Sequence, residues 1–252
     1  MDALDATRPR PPALHVDCAL FLYVDGSLVE FASRPERVVV PAALRSTLSQ
    51  LSASLDGALA LVSGRSVHAI DTLFAPLRFP VAGLHGHALR TADGVLQQVA
   101  PLAAMPAVVA DAAMFCCRYA GALVEDKGVS IALHWRNAPA AEIPLRRFAE
   151  DALARLPGYR LQPGHCVIEL LPAGGDKGSA IAALLEQPPF RDRRPVFVGD
   201  DLTDEPGFRE VNARGGISVL VGARGDSAAR YALPDPSSVR DWLDSYTNGG
   251  SA

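Results

Sequence analysis

The sequence predicts an α/β fold with a parallel sheet, interrupted by a smaller α+β unit. Three observations carry this reading. Short, unbroken apolar runs alternate with stretches of helical periodicity towards both ends of the chain. Polar clusters close three of those runs, and in open parallel sheets that edge is where ligands bind. Between the two alternating parts, strand-like runs come in pairs, which is the pattern of an antiparallel sheet.

Residues 1 to about 13 are rich in proline and read as an irregular lead-in. Cys18–Val24 (CALFLYV) is a buried strand closed by Asp25-Gly26. Pro41 opens a helix with Leu44, Leu48, Leu51 and Leu55 on one face, and Gly57 punctuates its end. Ala58–Val62 is a second strand, turning at Ser63-Gly64-Arg65. Val67 to Phe74 is a helix and Val81–Leu84 a third strand. A hairpin signal over Leu89–Val99, centred on Asp93-Gly94, is followed by an alanine-rich helix over 103–120. Ala122–Glu125 and Val129–Trp135 pair around Asp126-Lys127-Gly128. A helix near 141–155 precedes a second pair, Tyr159–Gln162 and His165–Leu170, around Pro163-Gly164. From Gly174 the α/β rhythm returns: a helix over Lys177–Glu186, a strand over Pro195–Val198, a further helix, a strand over Ile217–Val221 and a helix near 237–246. The core is therefore expected over 1–98 and 174–252. The insertion is expected over 99–173, about 70 residues and a plausible cap domain.

Composition narrows the function. The 252 residues are 49% hydrophobic and 21% charged, ordinary globular usage with enough apolar material for a core. Lys and Arg number 24 against 28 Asp and Glu, a net charge of −4, so no basic footprint for nucleic acid is present. No apolar run reaches the roughly 20 residues of a membrane span. The start, MDALDATRPRPP, lacks the basic and apolar regions of a secretory signal, so a cytoplasmic location is expected. The four cysteines make no CxxC or Cys/His spacing. They read as buried reduced thiols, Cys116 and Cys117 on an apolar helix face and Cys18 and Cys166 in strands.

The chemistry is expected at the strand ends. Asp25-Gly26-Ser27-Leu28, Ser63-Gly64-Arg65 and Gly199-Asp200-Asp201-Leu202-Thr203-Asp204-Glu205 each follow a strand, and Lys177 opens a helix after Gly174-Gly175-Asp176. Carboxylates, a hydroxyl and an ammonium meeting there suit a Mg²⁺ ion and a phosphate group. Taken singly, each has an ordinary role: Asp200 and Asp204 as helix-start caps, Lys177 as a solvated helix residue, Ser63 as a turn hydroxyl. Their common position in one α/β unit favours the site.

These residues resemble the motifs of the trehalose-6-phosphate phosphatases in the haloacid dehalogenase superfamily. FLYVDGSL (Phe21–Leu28) is similar to the first motif, usually Asp-x-Asp-Gly-Thr-Leu, and VSGR (Val62–Arg65) to the second. Asp176-Lys177-Gly178 is similar to the third and GDDLTDE (Gly199–Glu205) to the fourth. VEDK (Val124–Lys127), ALHWR (Ala132–Arg136) and VIEL (Val167–Leu170) resemble the family's cap sequences, and GLHG (Gly83–Gly86) also has the family look. The resemblance spans about 17 to 225. It implies a Rossmann-like parallel-sheet core of haloacid dehalogenase type with an inserted α/β cap. It also implies Mg²⁺-dependent hydrolysis of trehalose 6-phosphate: one Asp attacks phosphorus to form an aspartyl-phosphate, and an Asp two residues on is the acid/base. On this chain the acid/base is Asp25; Ser63, Gly64 and Lys177 hold phosphate; Asp200, with Asp201 or Asp204 and the Asp25 backbone carbonyl, holds the metal. Glu125, Lys127, Arg136 and Glu169 contact the sugar from the cap or order its strands. The implied partner is a small-molecule sugar phosphate, with neither nucleic acid nor membrane.

The chain departs from the family pattern at the nucleophile, where the first Asp of the motif aligns with Tyr23. A two-residue slip would make Ser27 the acid/base and move the attacking group about 6–7 Å along an extended chain. A phenol with an ordinary pKa near 10 is neutral at pH 7 and is a poor substitute for a carboxylate. Ala88 stands where the family usually has Glu, and Leu171 where it often has a cation. Three readings follow: a trehalose-6-phosphate phosphatase with residual activity, a pseudophosphatase that binds a sugar phosphate or a partner protein, and a phosphatase for another sugar phosphate.

Overall fold

The computed structural model describes residues 8–32 and 37–249. In chain order the elements begin β1 (Cys18–Tyr23), α1 (Ala42–Ser54), β2 (Leu59–Val62), α2 (Val67–Phe74), β3 (Val81–Gly83), β4 (Ala88–Arg90) and β5 (Leu96–Gln98). They continue α3 (Met105–Cys116), β6 (Leu123–Asp126), β7 (Ile131–His134), α4 (Glu142–Leu153), β8 (Tyr159–Gly164) and β9 (Val167–Pro172). The last are α5 (Lys177–Leu185), β10 (Arg194–Gly199), α6 (Glu205–Ala213), β11 (Ile217–Val221), β12 (Tyr231–Leu233) and α7 (Pro236–Gly249). The chain divides into two compact units: one runs to Gln97 and resumes at Asp176, and the other is Gln98–Gly175.

The first unit holds a sheet of order β12-β11-β10-β1-β2-β3-β4-β5. Pairing is parallel from β12 through β3 and antiparallel between β3 and β4. All six residues of β1 are buried. That is why its sequence is continuously apolar rather than alternating: a central parallel strand is covered on both faces. On α1 the buried residues include Leu44, Leu48 and Leu51, the predicted face, and Leu55 just beyond the helix is also buried. The β12 strand was not legible in the sequence, because three residues are too few for periodicity to register. The first residues of the lead-in, 1–7, lie outside the described residues; from Arg8 the lead-in is irregular but tied down. Ala232 donates its backbone N–H to the Pro9 carbonyl (3.0 Å), and the Arg8 guanidinium donates to the carbonyl oxygens of Ala229, Gly225 and Ser227.

The second unit is an antiparallel sheet of order β6-β7-β9-β8 with its own core. Val108 and Ala112 of α3, Leu145 and Ala149 of α4, and Ile131, Leu133, Ile168 and Leu170 of the strands pack together. Two expectations are corrected here. The turn of the second strand pair is at His165-Cys166, not Pro163-Gly164, since Gly164 pairs with Val167. The proline is accommodated because β8 is an edge strand, where a missing N–H costs no ladder bond. Cys166 consequently lies in the turn, with φ +60°, rather than in a strand. Of the four cysteines, all of them free thiols, Cys18 and Cys116 are buried, Cys166 is half-buried and Cys117 is exposed. Cys117 follows the last residue of α3 and leaves its apolar face.

Candidate active site

The parallel register aligns the ends of three strands. Tyr23 of β1 pairs with Val62 of β2, and Leu22 pairs with Val198 of β10. The residues that follow, Asp25, Ser63 and Asp200, therefore leave the sheet along one edge, where the strand order turns from β2 on one side of β1 to β10 on the other. Gly26 makes the turn out of β1 at φ +89°, and a Cβ there would lie 2.4 Å from an Asp200 carboxylate oxygen. Only glycine supplies both that backbone and that clearance. Ser27, fully buried, then donates its hydroxyl to Asp200 Oδ1 at 2.9 Å.

Asp25 is clasped by Arg65, which donates from Nε (2.8 Å) and Nη2 (2.7 Å) to its two carboxylate oxygens. This planar two-point contact orients a carboxylate as well as attracting it. Arg65 belongs to VSGR, but the sequence alone assigns it no role. Ser63 is fully buried and accepts the Arg65 backbone N–H at 3.0 Å, which shapes the turn after β2. The Leu84–Gly86 turn braces the same loop. His85 donates its backbone N–H to the Ser63 carbonyl (3.2 Å), and Leu84 donates to that of Arg65 (2.9 Å). Both residues hold positive φ, +52° and +55°, a strain that persists only where the surroundings impose it. The His85 imidazole packs on Gly64 so closely that a Cβ would overlap it at 2.5 Å.

Lys177 is 1% exposed. Asp176 caps α5 by accepting the Ser179 N–H at 2.8 Å, and Ser179 Oγ accepts the Asp176 N–H in return. The ammonium then donates to Asp204 Oδ1 (2.5 Å) and Thr203 Oγ1 (2.8 Å) and lies 3.6 Å from the centre of the Tyr23 ring. An ammonium has three donors, and here each has a partner. The Tyr23 phenol is held well above its ordinary pKa of 10 by burial, and then by the charges of Asp204, Asp200, Asp25 and Asp201. It stays protonated at neutral pH.

The acids expected to bind metal face different tasks. Asp204 is fully buried; its Oδ2 accepts the N–H groups of Asp200 and Asp201, both at 2.9 Å, while Oδ1 faces Lys177. Asp201 is exposed and accepts the Leu202 N–H. Among the described residues the Asp200 carboxylate accepts only the Ser27 hydroxyl, and its carboxyl is pushed up to about 8 by burial first and by the Asp204 charge second. Among the described residues no three His, Cys, Asp or Glu side chains converge on a cation. Mg²⁺ asks for near-octahedral oxygen donors. Asp200 and the Asp25 carbonyl are what remains for it here, so this donor set does not fit a resident Mg²⁺ ion.

The cap residues lie in the second unit. Lys127 donates to Glu169 Oε2 at 3.0 Å, and Ser130 donates to Oε1 at 2.8 Å, all three largely buried. Glu125 meets His134 at 3.0 Å. Burial raises the Glu125 carboxyl, but the His134 hydrogen bond and the Lys127 charge outweigh it and hold it below the usual range. Arg136 is exposed just beyond β7. His134 was not singled out from the sequence, although ALHWR contains it. His87 is buried just before β4.

Comparison with known proteins identifies the family. The trehalose-phosphatase family model matches residues 21–237. The chain is 45% identical to a probable trehalose-phosphate phosphatase of Sinorhizobium fredii over 205 residues, covering 81% of this chain and 77% of that one. It is 42% identical to the trehalose-6-phosphate phosphatase of Escherichia coli, covering 94% and 89%. The crystal structure of a trehalose-6-phosphate phosphatase related protein superimposes with a TM-score of 0.79 at 27% identity, over 92% of this chain and 97% of that one. With the family model spanning the sheet edge, all three strand-end clusters and the whole insertion, this chain belongs to the trehalose-phosphatase family.

Proposed function

We propose that this chain binds trehalose 6-phosphate and hydrolyses it very slowly or not at all. The observation that carries this reading is Tyr23. It ends β1, two residues before Asp25, at the position from which the family's reaction needs an attacking carboxylate. Its phenol is neutral, and its ring is covered by Lys177. A protonated phenol in that environment is a poor nucleophile for phosphorus. The rest of the frame supports binding. Ser63 and Gly64 follow β2 where a phosphate would sit, and Lys177 adds a buried positive charge over Tyr23 at the end of β1. Asp25, oriented by Arg65, is the acid/base residue left without a partner in the reaction. The Glu125–His134 and Lys127–Glu169 pairs on the cap sheet are fixed in advance for sugar hydroxyls, and Arg136 is exposed just beyond β7.

The test is phosphate release from trehalose 6-phosphate with Mg²⁺, for this chain and for Tyr23→Asp side by side. Tyr23→Asp is expected to turn over and the unmodified chain to be slower by on the order of 10⁶, the scale of removing a nucleophile elsewhere. Similar rates for both would overturn the reading. Turnover by neither would move attention to Ala88 and Leu171 and to another sugar phosphate as the substrate.

A further inference from the structure

We infer that Lys177, held by the ring of Tyr23, is the resident cation of this site, and that the chain carries no divalent-ion site there. Which cation occupies the site is independent of whether a sugar phosphate is bound or cleaved. A cluster of buried acids needs a positive charge close by, because uncompensated carboxylates in a low-dielectric interior are costly. Here that charge is already inside. The Lys177 ammonium is 1% exposed and lies 2.5 Å from Asp204, which is 0% exposed. Thr203 takes its second donor at 2.8 Å, and the Tyr23 ring face takes the third at 3.6 Å.

Tyr23 acts on the site in two ways. It supplies a neutral side chain where a carboxylate would raise the negative charge and draw in a metal. Its ring face also attracts the ammonium by its quadrupole, which is worth more in a desolvated setting than at a surface. Asp204 is meanwhile engaged by Lys177 and by the N–H groups of Asp200 and Asp201, so both its oxygens are turned away from a further cation. Asp201 faces solvent and caps Leu202. One buried carboxylate, Asp200, is too few for an ion that gives up its water reluctantly.

The experiment titrates Mn²⁺, as a paramagnetic stand-in for Mg²⁺, into the metal-stripped full chain without any sugar, and follows the free-ion resonance. The unmodified chain and Tyr23→Phe are expected to show no saturable site below about 1 mM, since phenylalanine keeps the ring face. Tyr23→Asp is expected to gain one site at least about tenfold tighter, and Asp200→Asn in that background is expected to remove it. A single saturable site on the unmodified chain below about 1 mM, lost in Asp200→Asn, would overturn the inference. So would a folded Tyr23→Asp that gains nothing. If circular dichroism shows Tyr23→Asp unfolded, the unmodified chain, Tyr23→Phe and Asp200→Asn decide the question by themselves.

Discussion

Single residues set the charge state of this site. Asp200 shows how. Its carboxyl titrates near 8 because it is buried and beside Asp204, whereas in the unfolded chain it titrates near 3.8. A carboxyl raised on folding binds more protons in the folded state, so its ionisation opposes folding. Its effect is absent below about pH 4, grows between about pH 4 and 8, and is complete above. Asp200→Asn is therefore expected to raise the melting temperature in metal-free buffer by an amount that increases over that interval and then levels off. The plateau corresponds to about 6 kcal/mol at most, the shift from 3.8 to about 8 times 1.36 kcal/mol. A constant gain across pH would show that packing rather than charge sets the difference. At this scale the sequence was legible in residue type and not in pairing. Asp25, Ser63, Lys177 and Asp200 stood out as chemistry-bearing groups at strand ends. That Arg65 clasps Asp25, and that Thr203 and Asp204 share Lys177, depend on contacts between segments far apart in the chain.

Elements carry those residues to their places, and their termini matter most. Lys177 is positioned by the start of α5, where Asp176 and Ser179 form a reciprocal cap. Asp176→Ala is expected to cost about 1 kcal/mol in denaturant unfolding, the usual worth of such a cap. Gly86 belongs to the turn that braces the Ser63–Arg65 loop. It holds φ +98°, and a Cβ there would lie 2.3 Å from the Asp176 carbonyl. Gly86→Ala combines a strained backbone with an overlap against main chain, so it is expected to cost more than Asp176→Ala, about 2 kcal/mol or above. Equal losses for the two variants would mean that the turn gives way easily. Most elements were legible in the sequence because their patterns are long or pure: the apolar run of β1, the 4-3-4 leucine spacing of α1, the helical spacing that opens α5 after Gly174-Gly175-Asp176. The exceptions have physical reasons. The β12 strand is three residues long, and the β8 strand runs through a proline that only an edge position tolerates.

At the scale of the whole molecule, two units fold around separate cores. Gln98–Gly175 owns a cluster that joins α3 and α4 to its sheet, with Phe115 and Phe148 rings 5.2 Å apart at its margin. That fragment is expected to unfold cooperatively by itself, with dispersed amide resonances; a collapsed, undispersed spectrum would show that it needs the rest of the chain. No helix among the described residues is long and apolar enough to cross a membrane. The sequence by itself determined the fold class, the order of elements, the interruption by an α+β unit and the family, because each is written in local periodicity or in short motifs. The resemblance to the family's first motif also leads to the expectation, on which the proposed function rests, that Tyr23 stands at the nucleophile position. Only the tertiary structure decided what that tyrosine does. The parallel register of β2, β1 and β10 brings strand ends together from positions up to 175 residues apart in the chain (25 and 200), and in that buried space the ammonium of Lys177 rests on an aromatic ring. Which charge neutralises which carboxylate is a question of distance and burial, and neither is encoded in any one segment.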